Sequence, residues 1–98
     1  METFNGITII GLGPGNNELM TKQSWDWINQ LDMIYLRTAQ HPAVAGFPKG
    51  LKIKSFDEFY QQFSEFEKVY EKIVDSIIEI ASDGSSVTYA VPGHPFVA

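Results

Sequence analysis

No cysteine occurs among the 98 residues, which excludes a disulfide framework, a thiolate zinc site and a thiol nucleophile. Positive charge is scarce as well. Seven Lys and Arg stand against twelve Asp and Glu, a net charge of −5, with no basic cluster. A surface of that sign repels phosphate backbones, so nucleic acid is excluded as a partner. No apolar run approaches the roughly 20 residues that a membrane-spanning helix needs, and Glu2 stands where a secretory signal would be basic. These absences set the expectation of a cytoplasmic protein with no membrane partner; a small-molecule substrate is expected instead from two stiff loops, at residues 11–15 and 92–95, which on one rim would enclose one. The remainder, 44% hydrophobic and 13% aromatic, is a composition that folds around a core.

The chain is organised around Ile7-Thr8-Ile9-Ile10-Gly11-Leu12-Gly13-Pro14-Gly15. Four β-branched residues in a row suit a strand covered on both faces, and the alternating glycines stop it. Glycine lets a backbone take positive φ and lets a ligand approach the N–H groups, while Pro14 stiffens the loop into a shaped cradle. Thr21 is placed to cap a helix running through Gln30, with Met20 and Trp25 in staple positions and Trp25, Ile28 and Leu31 at helical spacing. Trp25 and Trp27 are read as core rather than as stacking platforms for a ring ligand.

Met33-Ile34-Tyr35-Leu36 is a second strand, and strand–helix–strand order specifies a right-handed parallel crossover. Ligands of parallel sheets bind at the carboxyl ends of the strands, so Arg37-Thr38 and the glycine loop are expected on one rim. Arg37 contacts an anion or a substrate carbonyl there, or is a solvated strand-end arginine paired with a carboxylate; the residues leave both open. Residues 39–50, with two prolines and two glycines, read as a loop long enough to form a lid or a substrate-facing excursion rather than a simple connector. His41 is placed to reach the crevice from it, and with no Cys, His or carboxylate near at ligand spacing no metal site is expected.

Residues 51–56 alternate as an edge strand with Lys52 and Lys54 outward. Capping boxes are expected at Ser55–Glu58 and Ser64–Glu67. Phe66, Val69, Tyr70, Ile73, Val74, Ile77, Ile78 and Ala81 form the stripe of the strongest helix, whose opposite charges are read as a solvated face. Gly84 ends it, and Val87–Val91 runs into a second stiff loop, Pro92-Gly93-His94-Pro95. The expected fold is α/β, a mostly parallel sheet of about four strands with flanking helices. A G-x-G-x-x-G dinucleotide site is disfavoured, because Asn16 stands at the third glycine and the helix starts too late.

These motifs together resemble the N-terminal subdomain of the tetrapyrrole (corrin/porphyrin) methylases, through Gly11-Leu12-Gly13-Pro14-Gly15, Glu18-Leu19-Met20-Thr21 and Val91-Pro92-Gly93-His94-Pro95-Phe96-Val97-Ala98. Tyr35-Leu36-Arg37-Thr38, His41-Pro42 and Ser55-Phe56-Asp57 look like the YabN-type branch, in which this domain precedes a MazG-type nucleoside triphosphate pyrophosphohydrolase. The resemblance implies an S-adenosylmethionine-dependent methyltransferase whose cofactor-facing residues are Gly13, Pro14, Gly15, Pro92, Gly93, His94 and Val97. Arg37 and His41 would face the substrate. Arg37 stands where the uroporphyrinogen enzymes carry an acidic residue, and Gly93-His94-Pro95 replaces their Gly-Asp-Pro. Residues 1–98 are expected to be one subdomain of a longer protein, lacking the second subdomain and the MazG domain, inactive alone, and covering bare apolar surface by homodimerisation. The competing expectation is a non-catalytic module of the pyrophosphohydrolase.

Overall fold

The computed structural model describes residues 2–4, 6–13 and 20–92. Its elements in chain order are β1 (Glu2–Phe4), β2 (Ile7–Gly11), α1 (Lys22–Ile28), β3 (Met33–Leu36), a 3₁₀ helix (Pro42–Gly46), β4 (Lys52–Ser55), α2 (Asp57–Gln62), α3 (Phe66–Ala81) and β5 (Val87–Val91). The strands form one sheet in the order β1-β2-β5-β3-β4. β2, β5, β3 and β4 are mutually parallel, in register from Ile7↔Val87 to Gly11↔Val91, at Tyr35↔Tyr89, and from Met33↔Lys52 to Leu36↔Ser55. The α/β fold expected from the sequence is therefore present, with one addition. β1 pairs antiparallel to β2 and forms an edge. Its three residues are too short to show a period.

Alternation along the strands sorts side chains to two faces of the sheet. Ile10, Leu12, Ile34, Leu36 and Ala90 point to one face and pack with Ile28 of α1 and with Ala43, Phe47 and Leu51. Val87 lies on the other face with Val69, Ile73 and Ile77 of α3 and with Phe56, against which Tyr35 and Tyr89 pack. Each fully buried aliphatic side chain contributes about 1.5–3 kcal/mol of transfer free energy, so both faces are needed to hold so small a domain.

α1 begins as expected: Thr21 caps it, its hydroxyl oxygen accepting from the Ser24 N–H at 3.1 Å. The helix ends at Ile28, two residues short of Gln30, where Gln30 and Leu31 turn off on N–H bonds to Trp27 and Ile28 carbonyls. Both tryptophans pack against the first core, and the Trp27 indole N–H donates to the buried Thr88 hydroxyl at 3.0 Å.

Three expectations need correction. Residues 39–50 do not form a lid: the segment holds the 3₁₀ helix, and Ala43 and Phe47 are buried in the core. Neither capping box exists, because the N-cap positions of α2 and α3 fall on Phe56 and Glu65, and neither helix has a side-chain cap. Ser55 is still the last residue of β4, so the strand claims the backbone a cap would need. The α3 stripe is also split. Val69, Ile73 and Ile77 are buried, whereas Phe66, Tyr70, Val74 and Ile78 are 67%, 43%, 53% and 55% exposed.

Candidate functional site

β2, β5 and β3 are neighbours and point the same way, so the segments that leave them emerge on one rim. Pairing continues past the strand ends. The Leu12 N–H donates to the Val91 carbonyl at 2.9 Å, and the Arg37 N–H to the Ala90 carbonyl at 3.0 Å. Gly13, Pro92 and Arg37 thus follow adjacent, hydrogen-bonded positions. Gly13 has φ +76°, in the left-handed region where a Cβ is strained, and this explains why glycine stands at the point where the backbone turns out of the sheet. Pro14, Gly15, Gly93, His94 and Val97, the other expected cofactor-facing residues, lie outside the described residues.

His41 reaches this rim from the 3₁₀ helix. The Ala43 N–H donates to its Nδ1 at 3.0 Å, which leaves the ring proton on Nε2, and Nε2 donates to the Gly13 carbonyl at 2.9 Å. One imidazole therefore caps the 3₁₀ helix and fastens the glycine turn to it, spanning 28 residues of sequence. Pro42, which biases His41 toward extended backbone, gives it the φ of −139° and ψ of 136° that the cap requires.

Beyond β3 the rim opens into a hollow of about 470 Å³ between the strand end and the α2–α3 corner, lined by Arg37, Thr38, Asp57, Tyr60, Phe66 and Tyr70 among others. Arg37 donates from Nη1 to the Tyr70 hydroxyl at 3.4 Å, and its guanidinium carbon lies 5.9 Å from the centre of the Tyr70 ring. Its Nε is buried with no partner among the described residues. Partial burial pushes the Tyr60 phenol up, Arg37 pulling the other way and Tyr70 adding to the rise. The phenol therefore enters the hollow as a neutral donor.

Asp57 closes the base of the hollow. Its carboxylate accepts from the Ala39 N–H at 2.9 Å and from the Thr38 and Ser55 side chains. Partial burial alone would raise this carboxyl, but the three hydrogen bonds outweigh burial and hold it below its ordinary value. The sequence placed Asp57 inside a capping signal and in a segment that carries the family resemblance, and gave it no role at the rim. What that reading missed is that a residue opening α2 lies beside the exit of β3, because Leu36 pairs with Ser55 and the Phe56 N–H donates to the Leu36 carbonyl at 3.0 Å. Tyr60 and Tyr70 were missed too; Tyr70 sat in the apolar stripe, and no local signal distinguishes a rim tyrosine from a core one.

A parallel sheet whose glycine turn and proline-stopped strand share one rim places the chain among the α/β domains. The family model of the Tetrapyrrole (Corrin/Porphyrin) Methylases matches residues 6–98, and the chain belongs to that family. It is similar to the uncharacterized protein YabN of Bacillus subtilis (strain 168), with 42% identity over 93 residues. That match covers 94% of this chain and 19% of YabN, so the chain spans about a fifth of the relative's length.

Proposed function

We propose that this chain is the cofactor-binding half of an S-adenosylmethionine-dependent methyltransferase-like domain, acting on a small-molecule acceptor within a longer cytoplasmic protein of the YabN type that also carries a MazG-type pyrophosphohydrolase. The observation that supports it most is the shared rim: Gly13 and Pro92 leave neighbouring parallel strands joined by the Leu12–Val91 hydrogen bond. The donor set fits such a cofactor in kind. A glycine in the left-handed region exposes its backbone to a ligand, and Pro92 offers a carbonyl without an N–H. Gly13, Pro14 and Gly15 would hold it from one loop, and Pro92, Gly93, His94 and Val97 from the other.

When bound, S-adenosylmethionine supplies a methyl carbon activated by positive sulfur, and the domain's own task is positioning. His41 serves by holding the Gly13 carbonyl in place, and Arg37 presents a fixed cation to the acceptor from the next strand. The 98 residues alone are proposed to be inactive, since they cover 19% of the relative's length. Self-association, if it joins two copies, has the open edge of β4 available, with Ile53 38% exposed.

The deciding experiment is calorimetric titration of the longer protein with S-adenosylmethionine and with S-adenosylhomocysteine. Saturable binding that is lost on Gly13→Val supports the reading. No binding at millimolar ligand overturns it in favour of a non-catalytic module of the pyrophosphohydrolase.

A further inference from the structure

The i, i+4 rows of α3 divide its surface into sectors of different chemistry. Val69, Ile73 and Ile77 form the row that enters the core. Beside it runs the exposed row Phe66, Tyr70, Val74 and Ile78. One residue further round, Glu67, Glu71, Asp75 and Glu79 form an exposed acidic row that borders the ridge, with the exposed Lys68 and Lys72 on its far side; none of the four acids is ion-paired among the described residues, where the only salt bridge is Lys22–Asp26. An apolar ridge of four large side chains, on the order of a few hundred Å², is of the size that marks an interaction surface rather than a stray exposed residue. The solvated face expected for this helix thus accounts for the acidic row and not for the ridge beside it.

The charge pattern decides what covers the ridge. Two copies of α3 packed antiparallel about a twofold would set the acidic row against itself, and packed parallel they would press it toward the flank already covered by the sheet. An anionic membrane surface or a nucleic acid is repelled by the same row. We propose that the Phe66–Ile78 ridge docks an amphipathic helix of a protein partner that carries Lys or Arg along the flank facing Glu67, Glu71, Asp75 and Glu79. The helix would lie in the manner of two ridged helices packing, its apolar positions at every third or fourth residue on the α3 ridge and its basic flank giving register.

The test uses the full 98-residue chain and a fluorescent synthetic helical peptide of four turns, with leucine at every fourth position and lysine at the next; a control peptide has glutamate for each lysine. Anisotropy titration is expected to show the lysine peptide binding at least about tenfold tighter than the glutamate peptide, with the margin shrinking in high salt. Val74→Glu with Ile78→Glu, both at exposed positions, is expected to abolish binding. Glu71→Lys with Asp75→Lys is expected to invert the preference between the two peptides. Equal binding of both peptides, no binding of the lysine peptide, or binding to anionic vesicles instead would overturn the proposal. So would a dimer in light scattering that Val74→Glu dissociates, because a second copy would then own the ridge.

Discussion

Asp57→Asn replaces a carboxylate by an amide of the same shape, so its effect isolates charge at the junction between β3 and α2. The carboxylate holds the Ala39 N–H at 2.9 Å and two hydroxyl side chains, Thr38 and Ser55. Hydrogen bonds to a charged group contribute about 1.5–3 kcal/mol when shielded, but Asp57 is only half-buried, and screening reduces the gain from charge to about 1 kcal/mol for the set. The sign follows from the lowered carboxyl. A group whose folded pKa is depressed stabilises the fold at pH above its unfolded value, and that contribution is lost as pH falls through the folded one. Urea denaturation followed by circular dichroism should therefore show the variant about 1 kcal/mol less stable than the parent at neutral pH. The gap should close below the 3.8 of an ordinary aspartate, where the parent carboxyl becomes neutral as well. A gap that persists in acid, or no gap at neutral pH, would refute the assignment of Asp57 as a charged clamp.

The other perturbations separate the rim from the two cores. His41→Ala frees the Gly13 carbonyl and the Ala43 N–H together, and about a tenfold loss of S-adenosylmethionine affinity in the longer protein, measured by calorimetry, is expected. Trp27→Phe keeps the ring against the first core but leaves the Thr88 hydroxyl, 5% exposed, without the indole donor; the expected cost is about 1 kcal/mol in denaturant unfolding, largely recovered by adding Thr88→Val. Ile73→Ala, at a side chain 1% exposed beneath α3, should cost about 2–5 kcal/mol and melt the domain at a lower temperature in calorimetry.

The sheet was legible because its strands are. Ile7–Ile10 and Val87–Val91 are β-branched and bounded by glycine or proline, and the β4 edge was legible because Lys52 and Lys54 alternate with apolar residues. Strand order was not, since nothing local says that β5 inserts between β2 and β3, yet this insertion is what brings Pro92 beside Gly13. The same holds for His41. As a lone histidine before a proline it carried only the suggestion of a crevice, and its double hydrogen bond needs the register of a turn 28 residues away. Helix starts were misread where the strand claimed the capping serine, as at Ser55, because a capping box is a spacing and the spacing cannot see a ladder.

The two halves of the α3 stripe show where sequence reasoning stops for a physical reason rather than for want of signal. Hydrophobic periodicity reports which residues avoid water, and Phe66, Tyr70, Val74 and Ile78 satisfy it as well as Val69, Ile73 and Ile77 do. Only the packing of α3 over β5, with Val87 beneath, spends one row and leaves the other. A helix whose apolar arc exceeds what its own sheet can cover still carries an unspent hydrophobic term, and the adjoining acidic row restricts what can use it. The buried row and the exposed row of this domain are thus drawn from one continuous stripe, divided by how one helix seats on its sheet.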